Sequence, residues 1–199
     1  MILGFDNDDH TIFDAQRQFI TEARIVLTMI GMLYAAPKTP LHDRLARENR
    51  IDWSDESEFG TNIIPLRISR EALRDGYVKV LNELYEPNAF FGRLDDLYLR
   101  AKIEYGLSQE RYWRQYPWKY LKAKVRLTVQ AIGLFARLMG GVPEAPLRKE
   151  YRKRVWKLLR TRRNPMIVRG YLIYCAIHYH DYTMARHIAS GKTRVFNSA

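Results

Sequence analysis

The sequence contains a single cysteine, Cys175, among its 199 residues. One thiol excludes a disulfide within the chain, which fits a reducing compartment such as the cytoplasm. It also cannot supply the several thiolates that hold an iron–sulfur cluster. Because Cys175 lies in an apolar run, we expect it to be a small buried core residue.

Long hydrophobic runs are also missing. The longest, IVLTMIGMLYAA, covers residues 25–36, whereas a helix needs roughly 20 apolar residues to cross a bilayer. The sequence therefore predicts no transmembrane segment. We expect a cytoplasmic protein, with peripheral attachment to a membrane as the alternative location.

Recognisable catalytic motifs are absent too. The sequence has no Ser-His-Asp or Cys-His arrangement, no phosphate-binding glycine loop and no zinc-ligand spacing. His178, His180, Asp181 and His187 lie close together in the sequence. Residues 178 and 180 point to different faces of a helix, however, and chelating pairs are usually three or four residues apart. We predict packing or surface roles for them and no metal site.

An acidic stretch near the start could suggest a divalent cation site, since Asp6, Asp8 and Asp9 offer several oxygens. The stretch lacks the glycine and the distal glutamate of a calcium loop. Asp8 and Asp9 stand just before a predicted helix, where carboxylates favour the positive end of the helix dipole. We therefore interpret them as helix-capping residues.

The charge is positive overall and unevenly placed. Residues 1–60 carry 6 Lys and Arg against 11 Asp and Glu, whereas residues 61–199 carry 27 against 11. Such asymmetry suggests two units with different surroundings, the basic one facing something anionic. Nucleic acid, a phospholipid surface and an acidic face of the same protein all remain open.

Residues 1–50 show a strand–helix–strand–helix pattern. Strands are predicted at residues 2–5 and 25–35, the second apolar enough to be covered on both faces of a parallel sheet. Helices are predicted to begin near Thr11 and at Pro40. Such a βαβα unit leaves open strand edges, so we expect the rest of its sheet to lie elsewhere, in a missing N-terminal part.

The remainder of the chain is predicted to be helical. An acidic linker is expected at residues 51–68, a basic helical domain at 69–190 and a flexible tail at 191–199. Ser69 is a good N-cap, and helices are predicted to begin near Pro117 and Pro146. The fold class is therefore α+β, mostly helical, with a short βαβα segment and then an all-α bundle.

Two basic stretches stand out in the helical region. Residues 111–124 alternate aromatic rings with Lys and Arg, which fits a bundle junction, stacked bases or a membrane interface. Residues 148–163 hold one acidic residue among many basic ones. A basic amphipathic helix of this kind suits a polyanion, either an anionic lipid surface or RNA. The candidate binding residues are Arg148, Lys149, Arg152, Lys153, Lys157 and Arg160.

Three stretches together carry a family resemblance: LGFDNDD before a helix, AAPKTPLHDRL after the second strand, and NIIP before a third helix. They resemble the C-terminal portion of cobalamin-binding radical SAM proteins, the group that includes hopanoid methylase-like enzymes. Members usually have GFDND at one strand end and Pro-Gly-Thr-Pro-Leu at the next. Lys38 stands here in place of that second glycine. The matching residues are Gly4, Phe5, Asp6, Asn7, Asp8, Pro37, Thr39, Pro40 and Leu41.

The resemblance implies that residues 1–50 are the last strands and helices of a partial radical SAM barrel. The SAM-proximal residues would be Gly4, Asp6, Asn7, Pro37 and Thr39. Complete enzymes of this type use a [4Fe–4S] cluster, SAM and cobalamin, but the CxxxCxxC motif and the cobalamin domain lie upstream in the family. We therefore expect this chain alone to bind no cofactor and to be non-catalytic, its first partner being the missing N-terminal part.

Two functions remain open at this point. The chain is either the C-terminal fragment of a radical SAM enzyme, cobalamin-dependent, or a non-enzymatic basic helical module. The second would bind an anionic membrane or RNA through residues 111–124 and 148–163. Since hopanoid methylase-like proteins act on a lipid, the resemblance implies that an anionic membrane or a lipid substrate is preferred over RNA for residues 148–163.

Overall fold

The computed structural model describes residues 1–53, 60–104 and 110–190. Two short strands stand near the beginning, and helices make up most of the remaining chain. In chain order the elements are β1 (Ile2–Leu3), α1 (Thr11–Glu22), β2 (Gly31–Met32), α2 (Pro40–Arg47), α3 (Arg70–Leu84), α4 (Pro87–Asp95), a π-helical turn (Asp96–Arg100), α5 (Glu110–Gln115), α6 (Pro117–Gly141), α7 (Ala145–Thr161) and α8 (Pro165–Ala189). The predicted α+β, mostly helical class is confirmed.

The helix starts obey local signals in the sequence. Ser69 has an extended backbone, and its hydroxyl accepts a hydrogen bond from the Ala72 amide, as an N-cap should. Thr39 does the same for α2, with Pro40 in the first turn. Pro117 occupies the corresponding position in α6. These boundaries agree with the predicted ones because capping depends only on neighbouring residues.

The two strands form a parallel pair with Ile2 opposite Gly31 and Leu3 opposite Met32. The predicted parallel arrangement is present, but the second strand is much shorter than the predicted 25–35. Residues 25–30 are not in strand conformation, and Met29 is 89% exposed. Within the residues that the structure describes, β2 pairs only with β1 and over two residues, so this part of the prediction was wrong.

The chain divides into two compact units, the first comprising Met1–Glu86 and the described residues from Tyr182 onward. In this unit α1 packs against α3, where the Phe13 ring lies over Gly76. A second cluster gathers Ala35, Leu45, Ile51 and Ile63, which joins the segment after β2 to α2 and to the chain beyond it. The loop after β2 therefore packs against a hydrophobic cluster that includes α2.

The second unit, Pro87–Asp181, has an aromatic core. Phe90, Phe91, Tyr151 and Tyr171 are fully buried, and the centroid of the His178 ring lies 4.6 Å from that of Phe90 and 5.1 Å from that of Phe91. The phenol of Tyr151 and Nδ1 of His178 lie 2.7 Å apart and share a hydrogen bond. His178 is thus a core residue with a polar partner, as the sequence predicted.

None of the described helices is long and apolar enough to cross a bilayer. The predicted divisions at residues 1–50, 51–68 and 69–190 stay predictions. The predicted tail, 191–199, lies outside the described residues, as does part of the predicted linker. The structure describes residues 51–53 and 60–68 of that linker, and residues 60–63 are buried.

Candidate functional site

The first candidate site is formed by two loops, residues 4–9 after β1 and 33–39 after β2. Because the strands are parallel, both loops leave the same carboxyl edge of the sheet, where ligands of parallel sheets usually bind. Gly4 turns the chain with a φ of +101°, a conformation that favours glycine. The Asp8 carboxylate then accepts hydrogen bonds from the amides of Gly4 (2.8 Å) and Phe5 (3.0 Å), which fixes the first loop.

Asp6 is held by two arginines. Its Oδ2 lies 2.6 Å from Nη1 of Arg44 on α2, and its Oδ1 lies 2.8 Å from Nη2 of Arg50. The hydrogen bond from Arg44, and after it the one from Arg50, holds the pKa of this carboxyl below its ordinary value. Arg50 is itself buried and donates to the Ile64 carbonyl. Asp6 therefore ties the first loop to α2 and to the segment beyond it.

The second loop ends in the start of α2. The Thr39 hydroxyl donates to the Ala36 carbonyl at 2.7 Å and accepts from the His42 amide at 3.3 Å. Lys38 has a φ of +65°, in the left-handed region. Pro37 is exposed beside it. Thr39 thus fixes the loop geometry, while Pro37 and Lys38 face solvent.

Two polar residues that no sequence motif singles out support the second loop. Asn62 accepts from the Ala35 amide and donates to the Ala35 carbonyl, both at 2.8 Å. The Thr61 hydroxyl donates to the Leu33 carbonyl. These side chains satisfy the backbone beyond β2 as a neighbouring strand would. The only signal in the sequence is a Thr-Asn pair directly before the apolar Ile63-Ile64.

The five predicted SAM-proximal residues therefore differ in how firmly they are engaged. Gly4, Asp6 and Thr39 have structural partners. Asn7 is exposed, with its Oδ1 3.4 Å from Nη2 of Arg67, and Pro37 is exposed as well. All five lie on the two loops at one sheet edge, and their assignment to SAM stays a prediction.

The acidic residues of the first loop act on the backbone. Oδ1 of Asp9 accepts hydrogen bonds from both the amide and the hydroxyl of Thr11. Both bonds lower the pKa of the Asp9 carboxyl, the bond from the hydroxyl having the larger effect. Asp8, in turn, binds the amides of Gly4 and Phe5. Within the described ranges, no group of His, Cys, Asp and Glu is placed to hold a metal ion. Asp9 therefore bonds the first residue of α1, as a residue at a helix start can. Asp8 bonds the loop that precedes the helix, and the N-cap residue of α1, His10, makes no side-chain capping bond. The predicted capping role is wrong for Asp8.

The second candidate site is the basic helix α7. Some of its predicted anion-binding residues already have protein partners. Nη1 of Arg148 donates to the carbonyls of Val142 and Pro143, at 2.7 and 2.9 Å, and so caps the end of α6. Nζ of Lys157 lies 2.8 Å from Oδ2 of Asp95 on α4. These two cations are structural in part, which the sequence could not show.

Asp95 is the centre of a polar cluster in the second unit. Besides Lys157, it accepts hydrogen bonds from Arg154 at 3.0 Å and from the Tyr171 phenol at 2.9 Å. Burial is the main cause that raises the pKa of Tyr171, so the phenol stays a neutral donor. Glu150 binds Arg154 from the other side at 2.6 Å. This cluster fastens one side of α7 to α4 and α8.

The outer side of α7 stays basic. Lys149, Arg152 and Arg160 are exposed, and Nζ of Lys153 lies 3.7 Å from a Glu150 oxygen. Lys153, Lys157 and Arg160 surround the exposed Trp156 in a shallow groove. The helix thus presents cations to solvent, and their binding of a polyanion stays a prediction.

Most of the chain matches the model of one protein family. The family described as "Domain of unknown function (DUF4070)" matches residues 39–194. The chain belongs to the DUF4070 family. The match covers Thr39, α2 and every later helix that the structure describes, but not the loop at residues 4–9.

Curated relatives of this DUF4070 chain include two named methylating enzymes and a third, uncharacterized methyltransferase. It is 33% identical to the hopanoid C-2 methylase of Rhodopseudomonas palustris over 95 residues, which are 48% of this chain and 18% of that protein. It is 28% identical to the bacteriochlorophyllide d C-12(1)-methyltransferase of Chlorobaculum tepidum over 94 residues, 47% of this chain and 21% of the relative.

The methyltransferase of Synechocystis shares 36% identity over 98 residues, 46% of this chain and 18% of the relative. The DUF4070 chain thus matches only about a fifth of the length of these relatives. No solved structure matches it. The resemblance to hopanoid methylase-like proteins is confirmed.

Proposed function

We propose that this DUF4070 chain is the C-terminal part of a cobalamin-dependent radical SAM methylase, in which it completes the SAM-binding barrel and adds a helical domain. The similarity to named methylases supports the reaction class. The observation that carries the structural part is the open side of β1. The carbonyls of Met1 and Leu3 accept from β2, so the Ile2 carbonyl between them faces away from it.

Two features favour a further strand on that side. The Ile2 carbonyl accepts from Nε2 of Gln16, while Oε1 of the same buried side chain has no hydrogen-bond partner. The Ile2 carbonyl is thus bonded by a side chain and not by a strand, and the amide of a neighbouring strand could take the place of Gln16. Ile2 and Phe5 are about half exposed and would be covered at the same time. An open strand edge of this kind favours addition of the rest of a sheet.

The residues present fit the proposed cofactors unequally. Cys175 is fully buried, and burial raises the pKa of its thiol, so the chain does not fit an iron–sulfur cluster. The two loops at the sheet edge fit one side of a SAM site. Asn7 would donate and accept hydrogen bonds there, while Asp6 and Thr39 hold the loops in place. When bound in the complete enzyme, SAM supplies the methyl group or the radical precursor.

The experiment requires the longer protein that contains this chain. Asn7→Ala should raise the KM for SAM about three- to tenfold, because the variant loses one hydrogen bond to SAM. Its urea midpoint should not move, because Asn7 is exposed and its contact with Arg67 is long. Gln18→Ala, an exposed amide on α1, is the matched control. Unchanged SAM kinetics would remove Asn7 from the site. Failure of the wild-type longer protein to cleave SAM would contradict the function itself.

The alternative is a basic helical module without catalysis, supported by the outward cations of α7. It differs from the first proposal in needing no other part of an enzyme. The basic stretches would then bind RNA or an anionic surface, and the affinity of this binding would fall steeply as the salt concentration rises.

A further inference from the structure

Helix α6 has an exposed apolar stripe along its length. The stripe consists of Trp118, Leu121, Val125, Val129 and Ile132, whose side chains are between 49% and 76% exposed. Their spacing matches the helical repeat of 3.6 residues, so all five lie on one face. The residues of α6 that are buried in the second unit, Ala131 and Leu138, lie on another side of the helix, roughly 130° around from the centre of the stripe. Helix α6 therefore has apolar residues on two sides, and the side that carries the stripe is exposed.

The borders of this α6 stripe are basic. Lys119 comes directly after Trp118 and Arg126 directly after Val125, so each lies about 100° around the helix from a stripe position. Together with Lys122, Lys124 and Arg137 they make five cations in a helix without any Asp or Glu. Long basic side chains beside apolar ones can reach phosphate groups while the apolar residues insert below them.

The stripe continues across α7. Ile132 is also part of an apolar groove of about 270 Å³ between α6, α7 and α8, which Trp156 and Leu159 line as well. Trp156 is 59% exposed and stands among Lys153, Lys157 and Arg160. The same combination of apolar centre and cationic border thus extends over two helices of one unit.

We propose that the α6 stripe docks the protein on the surface of an anionic phospholipid bilayer, with α6 lying in the interface plane. The charge complementarity selects this occupant. A second copy of the chain would bring two acid-free helices together, which like-charge repulsion opposes. Four of the five stripe residues are aliphatic, so Trp118 alone in the stripe offers a ring on which an RNA base could stack. Aliphatic side chains do insert among acyl chains, and tryptophan is favoured at headgroup depth.

The test is co-sedimentation of the full chain with vesicles of phosphatidylcholine alone and with roughly 30% phosphatidylglycerol. We expect binding to the anionic vesicles only. Val129→Asp/Ile132→Asp should weaken binding to the anionic vesicles about tenfold or more, because placing a charged carboxylate in the acyl region is unfavourable. Met29→Asp/Leu66→Asp is the matched control, since it adds the same charge at two exposed apolar positions in the first unit and should bind as the wild type does. Far-UV circular dichroism checks that both variants fold.

Every outcome decides the proposal. Selective loss in Val129→Asp/Ile132→Asp supports it. Equal loss in both variants would mean that net charge alone drives binding, and the stripe would play no part. Absence of wild-type binding to anionic vesicles overturns the proposal, as does binding to single-stranded RNA instead. A wild-type dimer that the stripe variant converts to a monomer would show that a second copy covers the face, which also overturns it.

Discussion

At the residue scale, Lys38 places a side chain at a loop position where the backbone conformation is strained for any residue other than glycine. Its φ of +65° lies in the region where an L-residue loses about 1–2 kcal/mol relative to the right-handed conformation. Gly4 meets a similar requirement in the first loop with glycine. The radical SAM group that the chain resembles usually has glycine at the position of Lys38. Lysine is therefore a local departure that the structure tolerates in an exposed position.

We predict that Lys38→Gly stabilises the chain by about 0.5–1 kcal/mol, the relief of strain being partly offset by the greater entropy of the unfolded chain. Urea denaturation measures the change. Lys38→Ala is the control, because alanine keeps the Cβ and removes only the charged chain, so it should not stabilise. A lower midpoint for Lys38→Gly than for Lys38→Ala would contradict the strain argument.

Residue roles were predictable from sequence only where the partner is close along the chain. Ser69 was predicted as an N-cap, and a helix start was predicted at Pro40, directly after Thr39. Such signals are local, since an N-cap bonds an amide three residues on. Asp6 was predicted to lie on a loop after a strand, and it does. Its ion pairs with Arg44 and Arg50 depend on how α2 returns to the sheet edge. No short-range pattern encodes that return.

At the element scale, the packing of α1 on α3 depends on the absence of one side chain. A Cβ placed on Gly76 would lie 2.2 Å from Cζ of Phe13, so the Phe13 ring occupies the space that any other residue would need. The close approach of these two helices thus explains a glycine in the middle of α3, where glycine is otherwise unfavourable.

We predict that Gly76→Ala destabilises the chain by about 1–2 kcal/mol, because overpacking outweighs the gain in helix propensity. Gly133→Ala in α6 is the matched control: nothing lies within 4 Å of its Cβ position, so it should stabilise by roughly 0.5–1 kcal/mol. Adding Phe13→Leu to Gly76→Ala should recover stability beyond the sum of the single changes, as a double-mutant cycle in urea would measure. Additive effects would show that Phe13 is not the obstacle.

Element prediction succeeded for the helices and failed for β2. The apolar faces of α3 and α7 match the helical repeat, and Leu73, Tyr77, Tyr151 and Val155 are buried as the pattern indicates. Residues 25–35 contain no such repeat and resemble a fully covered strand. In the structure the backbone at Ala35 instead bonds the Asn62 side chain. A side chain that replaces a strand is invisible to hydrophobic patterning.

At the scale of the whole molecule, the two candidate sites lie in different units and in different charge environments. The sheet-edge loops belong to the acidic first part of the sequence, and the α6 stripe and α7 to the basic second part. The DUF4070 match includes the second site fully and the first only from Thr39 onward. The family match therefore covers the whole helical unit, while the first of the two sheet-edge loops depends on its own geometry.

We predict that this chain alone does not bind an iron–sulfur cluster. Incubation of this chain with ferrous iron and sulfide under reducing, anaerobic conditions should produce no cluster absorbance, because a cluster needs several thiolates and Cys175 is fully buried. Cys175→Ala is the control and should retain the same small background of iron. Cys175 should react with a thiol reagent only after denaturation, since burial raises the pKa of its thiol. Iron bound in proportion to the chain and lost in Cys175→Ala would contradict the proposal that the cluster is held by another part of the enzyme.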